Sequence, residues 1–198
     1  MTRRPPSGPG SPFVVLLRAV NVGGRTFRKP QLEQAIARAG GREMTLVGAA
    51  GSAVVAVGPR ATPHTLEARL EQALRAETGL DADAMVRSAE EWDTLVRANP
   101  FPREAESDPA HLVVALLKAR PAPAGWTRLA RAIVGRERVA PGERAAYIVY
   151  PDGIGRSKLT PGLPERQLGV RGTSRNWNTV LRLQEIVRER SAPAAPRD

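Results

Sequence analysis

A chain of 198 residues with 41% hydrophobic content has enough apolar material for a sizeable core, as one large domain or two subdomains of roughly 100 residues each. Its apolar runs, Phe13 to Leu17 among them, are too short to cross a bilayer, and the absence of cysteine excludes disulfides, thiolate metal sites and a cysteine nucleophile. The formal charge of +10 is segregated: residues 1–30 carry six Lys or Arg and no acid, residues 156–190 carry eight against three, and residues 31–155 are nearly balanced at fifteen against sixteen.

In chain order, residues 1–11, rich in Pro, Gly and Ser, form an expected disordered tail. Phe13 to Val20 is a β-branched apolar run that predicts a buried strand, ended by Asn21 with Gly23 and Gly24. Pro30 suits a first helical turn, and Leu32, Ile36 and Ala39 lie on one helical stripe. Two strands around Met44 to Val47 and Ala53 to Val57 predict a hairpin that turns near Gly48 to Ser52. Thr62 with Pro63 opens a helix through Leu66, Leu70, Ala73 and Leu74 to a stop at Gly79. Ala84 to Arg87 is a strand, and Ser88 with Glu91 has the form of a capping box for a helix to Ala98. Strand, helix, strand, strand, helix, strand is the ferredoxin-like order, and it assigns residues 12–98 to a first subdomain.

The NPFP segment and the acidic run at 99–110 break the helical pattern and predict a linker. Leu112 to Lys118 is again a buried strand, Trp126 to Val134 is helical, and Arg138 to Ala140 with Ala145 to Tyr150 predicts a hairpin around Pro141 and Gly142. A last helix is expected from Thr173 or Ser174 to about Arg190, followed by a second tail at 191–198. The predicted fold is therefore α+β, with two ferredoxin-like βαββαβ-type subdomains in duplicated arrangement, each on an antiparallel sheet, the second over 111–190. The duplication is read from element order, since no residue-level repeat stands out.

Three segments carry candidate chemistry. In LLRAVNVGG at 16–24, Arg18 lies inside an apolar strand and needs an acid or a bound anion unless it snorkels to water, with Asn21, Gly23 and Gly24 at the strand's end. In PDGIGRSKLT at 151–160, Gly153 and Gly155 let the backbone bend before Arg156, Ser157 and Lys158, which suits an anion or an exposed hairpin turn. The spacing is not that of a P-loop, no dinucleotide fingerprint occurs, and Ser157 beside Lys158 is a poor nucleophile pair because adjacent side chains point apart. In GTSRNWNTV at 172–180, Trp177 suits a core position, while Arg175, Asn176 and Asn178 offer donors for a ligand or a buried polar network. His64 and His111 lack local ligand partners and suggest no metal, no cofactor motif is present, and the acids are scattered.

These pieces, LLRAVNVGG, Gly51 before Val54 and Val55, NPFP, PDGIGRSKL and GTSRNWNTV, resemble the bacterial family known as domain of unknown function 1697. The resemblance spans about Phe13 to Val187 and implies the same two-subdomain fold without supplying an activity. Ala19 stands where the family has Gly after the strand arginine, and Ala50, Gly51 and Ser52 stand where it has a Ser-Gly-Asn turn, so the family's own Ser and Asn side chains are both replaced in that turn.

The segregated charge points to a cytoplasmic protein binding nucleic acid or nucleotide phosphate, with Arg18, Asn21, Arg156, Lys158, Arg175 and Asn178 converging on one basic surface. With only 4% aromatic residues, phosphate contacts would dominate over base stacking. Two other classes remain open: a small-molecule enzyme acting on a phosphorylated or carboxylated substrate, and a structural or partner-binding module. No membrane partner is expected.

Overall fold

The strongly apolar runs of the sequence become the central strands of two four-stranded sheets. The structure is a computed structural model and describes residues 10–18, 21–22, 25–26, 29–48, 51–79 and 81–192. The chain divides into two compact units, Met1–Trp92 with Glu185–Asp198, and Asp93–Gln184.

The first unit contains β1 (Ser11–Arg18), the short β2 (Asn21–Val22) and β3 (Arg25–Thr26), α1 (Lys29–Arg38), β4 (Gly41–Val47), β5 (Ser52–Val57), α2 (Pro63–Thr78) and β6 (Asp83–Ser88), with α3 (Ala89–Arg97) beginning in it. Its main sheet has the order β4-β5-β1-β6, antiparallel throughout, and β2 pairs with β3 as a separate ribbon. One face, with Phe13, Val15, Leu17, Val55 and Val86, packs on Leu32 and Ile36 of α1 and on Leu66, Leu70 and Leu74 of α2. Burying such side chains contributes about 1.5–3 kcal/mol each, so this face anchors the unit. The helix boundaries follow from their caps: Thr62 and Thr65 bond reciprocally ahead of Pro63, and Gly79 ends α2 in the left-handed conformation that glycine adopts freely. Ser88 and Glu91 form the expected capping box, Glu91 N–H donating to Ser88 Oγ at 3.2 Å and Ser88 N–H to Glu91 Oε2 at 3.0 Å.

The second unit follows the same plan. After α4 (Pro102–Ser107) come β7 (Leu112–Leu117), α5 (Pro123–Ala132), β8 (Arg138–Gly142), β9 (Ala145–Val149), a 3-10 turn at Ile154–Arg156, α6 (Leu163–Leu168), β10 (Gly172–Asn176) and the start of α7 (Trp177–Ser191). The sheet order is β10-β7-β9-β8, again antiparallel, with Val113, Ala115, Leu117, Ile148 and Tyr150 packed with Leu129 and Leu168. Numbered within its own unit, each sheet therefore has the ferredoxin-like order 4-1-3-2 in the strands counted from the first, and the duplication expected from element order is present in the fold.

Several local expectations are corrected. The segment from Gly172 does not open the last helix: it is strand β10, and α7 starts only at Trp177. The residues alternate, with Thr173 and Arg175 buried and Ser174 exposed, a two-residue period that a half-buried strand produces. The hairpin of the second unit turns at Glu143 and Arg144, between the paired Gly142 and Ala145, and Pro141 lies inside β8 opposite Ala146. The edge position of β8 tolerates a residue without an N–H. The break at 99–110 holds a new short helix, started by Pro102 in its first turn, and α6 begins in the same way with Pro164.

The register also brings out a residue-level repeat. Phe13 lies opposite Ser88 and Val14 opposite Arg87, just as Val113 lies opposite Asn176 and Val114 opposite Arg175. Each unit thus has an apolar central strand (FVVLLR, VVALLK) and a last strand carrying a buried arginine directly before a helix-capping side chain. Both arginines point to the face opposite the helix-packed core described above, and each is supplied with oxygen. Arg87 donates to the Val86 carbonyl at 2.9 Å and lies 3.9 Å from Glu67, whose Oε1 also accepts from Val86 N–H at 2.9 Å. Replacing Glu67 by Ala would leave a charge and an amide without this acceptor inside the unit, so Glu67→Ala is expected to lose roughly 3–5 kcal/mol of stability, read from the urea unfolding curve.

Candidate functional site

In the second unit, β7 is the central strand, and its pairing fixes which chain segments meet at its start. Leu112 pairs with Val149 and Val113 with Asn176, so the turn before β7, the loop after β9 and the junction of β10 with α7 all emerge at one end of the sheet. Backbone bonds tie them together: Tyr150 N–H donates to the His111 carbonyl at 2.9 Å, Trp177 N–H to the Pro109 carbonyl at 3.1 Å, and Gly153 N–H to the Tyr150 carbonyl at 2.9 Å.

The loop at this end is built by its own residues. Gly153 has φ of +82°, a conformation that costs other L-residues strain, and it leads into the 3-10 turn at Ile154–Arg156. Ser157 fixes the exit: its hydroxyl donates to Glu137, and its Oγ accepts from Leu159 N–H at 2.9 Å. That hydroxyl bond holds the Glu137 carboxyl below its ordinary value. Asp152 is held below its own by the Arg136 guanidinium, with Arg156 adding positive charge nearby. Arg156 and Lys158 are exposed, and neither forms an ion pair or side-chain hydrogen bond with a described residue.

The strand-to-helix junction distributes three roles among neighbouring residues. Arg175 is only 9% exposed; its guanidinium donates to Thr173 Oγ1 and to the Ser174 carbonyl, both at 2.7 Å, and desolvation brings its pKa down to about 10, so it stays charged at neutral pH. Asn176 caps the helix, its Oδ1 accepting from Thr179 N–H at 3.0 Å and from Thr179 Oγ1 at 2.9 Å. Asn178 is exposed in the first turn, and Trp177 is buried at 3% exposure. With Arg175 in a strand rather than in the last helix, it does not share a helical face with Asn178.

Arg18 and Asn21 belong to the first unit. Arg18 closes β1, half-exposed, with its guanidinium 3.6 Å from Asp83 on the neighbouring strand β6. Asn21 opens the β2–β3 ribbon, and Gly23 and Gly24 lie outside the described residues, as do Ala19 and Ala50.

Sequence reasoning weighed His111 only as a metal ligand without a local partner, and it passed over Asp108. Pro109 and Ala110 turn between them, and His111 Nδ1 lies 2.7 Å from Asp108 Oδ2, with His111 N–H donating to the Asp108 carbonyl at 3.1 Å. The Asp-x-x-His spacing before a strand was the available signal. Nε2 faces the glycine loop: it is 3.4 Å from the point where a Cβ on Gly153 would stand. Among the described residues no group of three or more His, Asp or Glu is arranged to hold a metal ion, and no helix is long and apolar enough to cross a membrane.

The family model described as Protein of unknown function (DUF1697) matches residues 11–147, more than two thirds of the chain, and the protein belongs to this family. Its fold is similar to that of a conserved bacterial protein from Streptococcus pneumoniae, with a TM-score of 0.70 at 13% identity, over 90% of this chain and 98% of that one. No curated protein matches the chain.

Two outcomes test the local construction. Asn176→Ala removes the α7 cap and should cost about 1 kcal/mol by thermal or urea unfolding, whereas Asn176→Asp retains an acceptor and most of the stability. For Ser157→Ala, the sign follows from Glu137: a folded-state value below the unfolded one stabilises above the unfolded value and fades as pH falls through the folded one. The stability gap between wild type and Ser157→Ala should therefore narrow on acidification through the carboxylate range.

Proposed function

We propose that the second unit binds the phosphate groups of a nucleotide or a single-stranded nucleic acid at the end of its sheet where the Gly153–Lys158 loop and the start of α7 emerge. The observation that carries the reading is the pair of exposed cations, Arg156 and Lys158, without ion-pair partners among the described residues, on a loop whose backbone is shaped by a left-handed glycine. Cations held near a bent backbone are what a phosphate group needs, because it presents several strong acceptors to fixed donors. Asn178, exposed one residue after Trp177, adds an amide that suits a phosphate oxygen or a sugar hydroxyl.

Arg175 supports the site from behind. Buried and bonded to Thr173 and the Ser174 carbonyl, it adds fixed positive charge to the strand that leads into Asn176 and Asn178. Arg18, already opposite Asp83, has no share in this reading. A ligand held chiefly through phosphate releases counterions on binding, so its affinity falls as salt rises.

Titration with ADP and, separately, with a short oligothymidylate tests the reading and distinguishes a mononucleotide from a nucleic-acid chain. Oligothymidylate affinity should fall with salt on a logarithmic plot, and Arg156→Ala with Lys158→Ala should flatten the slope by about 0.7 for each phosphate that is no longer neutralised. Absence of binding at low salt, or an affinity indifferent to salt and to both substitutions, sinks the proposal.

A further inference from the structure

We infer that His111 is a proton-linked ligand of the bound phosphate, gripping it when the imidazole is protonated and loosening it when it is not; the inference rests on the phosphate site proposed above. Asp108 and His111 are 2.7 Å apart through Nδ1, which fixes the ring and makes Nδ1 the proton-bearing nitrogen toward the carboxylate. Nε2 is thereby directed to Gly153, where the missing Cβ leaves the ring edge uncovered, and the His111 side chain remains 43% exposed. In the neutral ring Nε2 is an acceptor and repels a phosphate oxygen; in the imidazolium it is a donor carrying charge and completes the set begun by Arg156 and Lys158.

The other charged and titratable groups around the ring are committed elsewhere. Asp152 is paired with Arg136, Glu137 takes the Ser157 hydroxyl, and Glu104 on the preceding helix is paired with Arg138. The Tyr150 phenol donates to the Leu159 carbonyl, and burial pushes its pKa up to about 12, far above the range in which an imidazole changes charge. A proton taken up on Nε2 would add a charged donor beside the Gly153 loop, and proton uptake and anion binding reinforce each other by linkage.

The experiment uses the full chain and two probes whose own charge is constant from about pH 5 to pH 8, inorganic sulfate and a short oligothymidylate. Wild-type affinity should weaken roughly fivefold across that interval, the size of effect one partly exposed charge supplies. His111→Gln keeps a donor of similar reach without a titrating charge and should bind with no such pH response, whereas His64→Gln, altering the chain's other histidine in the first unit, should retain it. In NMR spectra the His111 imidazole signals should move on adding sulfate at low pH. A wild type whose binding ignores pH, or a His111→Gln protein that keeps the wild-type response, overturns the role of His111 and leaves the phosphate site standing. If neither probe binds at about pH 5 and low salt, the phosphate site falls and the inference with it.

Discussion

The first strand of each unit lies between two neighbours, so its backbone N–H and C=O groups must be satisfied on both edges at once. Once that double pairing is made, little freedom is left: the register that places Val14 opposite Arg87 and Val114 opposite Arg175 also fixes where every connecting segment leaves the sheet. In the second unit the same constraint gathers the Asp108–His111 turn, the Gly153 loop and the head of α7 at one end, although they are far apart in sequence. The candidate site is in this sense a by-product of closing a central strand.

Much of this architecture was legible in the sequence, because apolar period and turn chemistry act locally. The central strands are nearly uninterrupted runs of Val and Leu, and the Thr62–Pro63 start, the Gly79 stop and the Ser88–Glu91 box carry their mechanism in a few adjacent residues. What was not legible depends on partners remote in sequence. Gly172 to Asn176 contains hydroxyls that cap helices well, and only pairing with β7 makes it a strand. Gly172 itself belongs there by close approach, since a Cβ would stand 2.6 Å from the Leu116 carbonyl oxygen, which is too close for any other residue without a shift of the strand.

The same distinction applies to the candidate site. Composition pointed to the loop of Arg156 and Lys158 and to the asparagines of the last helix, since their residue types are unusual in a core. It could not divide Arg175, Asn176 and Asn178 into a buried donor, a helix cap and an exposed amide, because that division follows from the change of period at Trp177. His111 was weighed only as a metal ligand for a related reason: its importance comes from Asp108 on one side and the bare α-carbon of Gly153 on the other, and the second of these lies across the sheet end. The segregation of charge, by contrast, is a property of the whole chain and needed no geometry to be noticed.

β10 passes into α7 with no intervening loop, and Asn176 serves as both the last residue of the strand and the cap of the helix. Such a joint has no slack. A single residue inserted between Arg175 and Trp177 would reverse the faces of the strand or turn the helix by about 100° about its axis, changing the direction in which Asn178 projects and carrying Trp177 out of the interior. Length variation among relatives should therefore collect in the loops of this fold and be missing from this seam, which works as a fixed angular gauge between the sheet and the side chains beyond it.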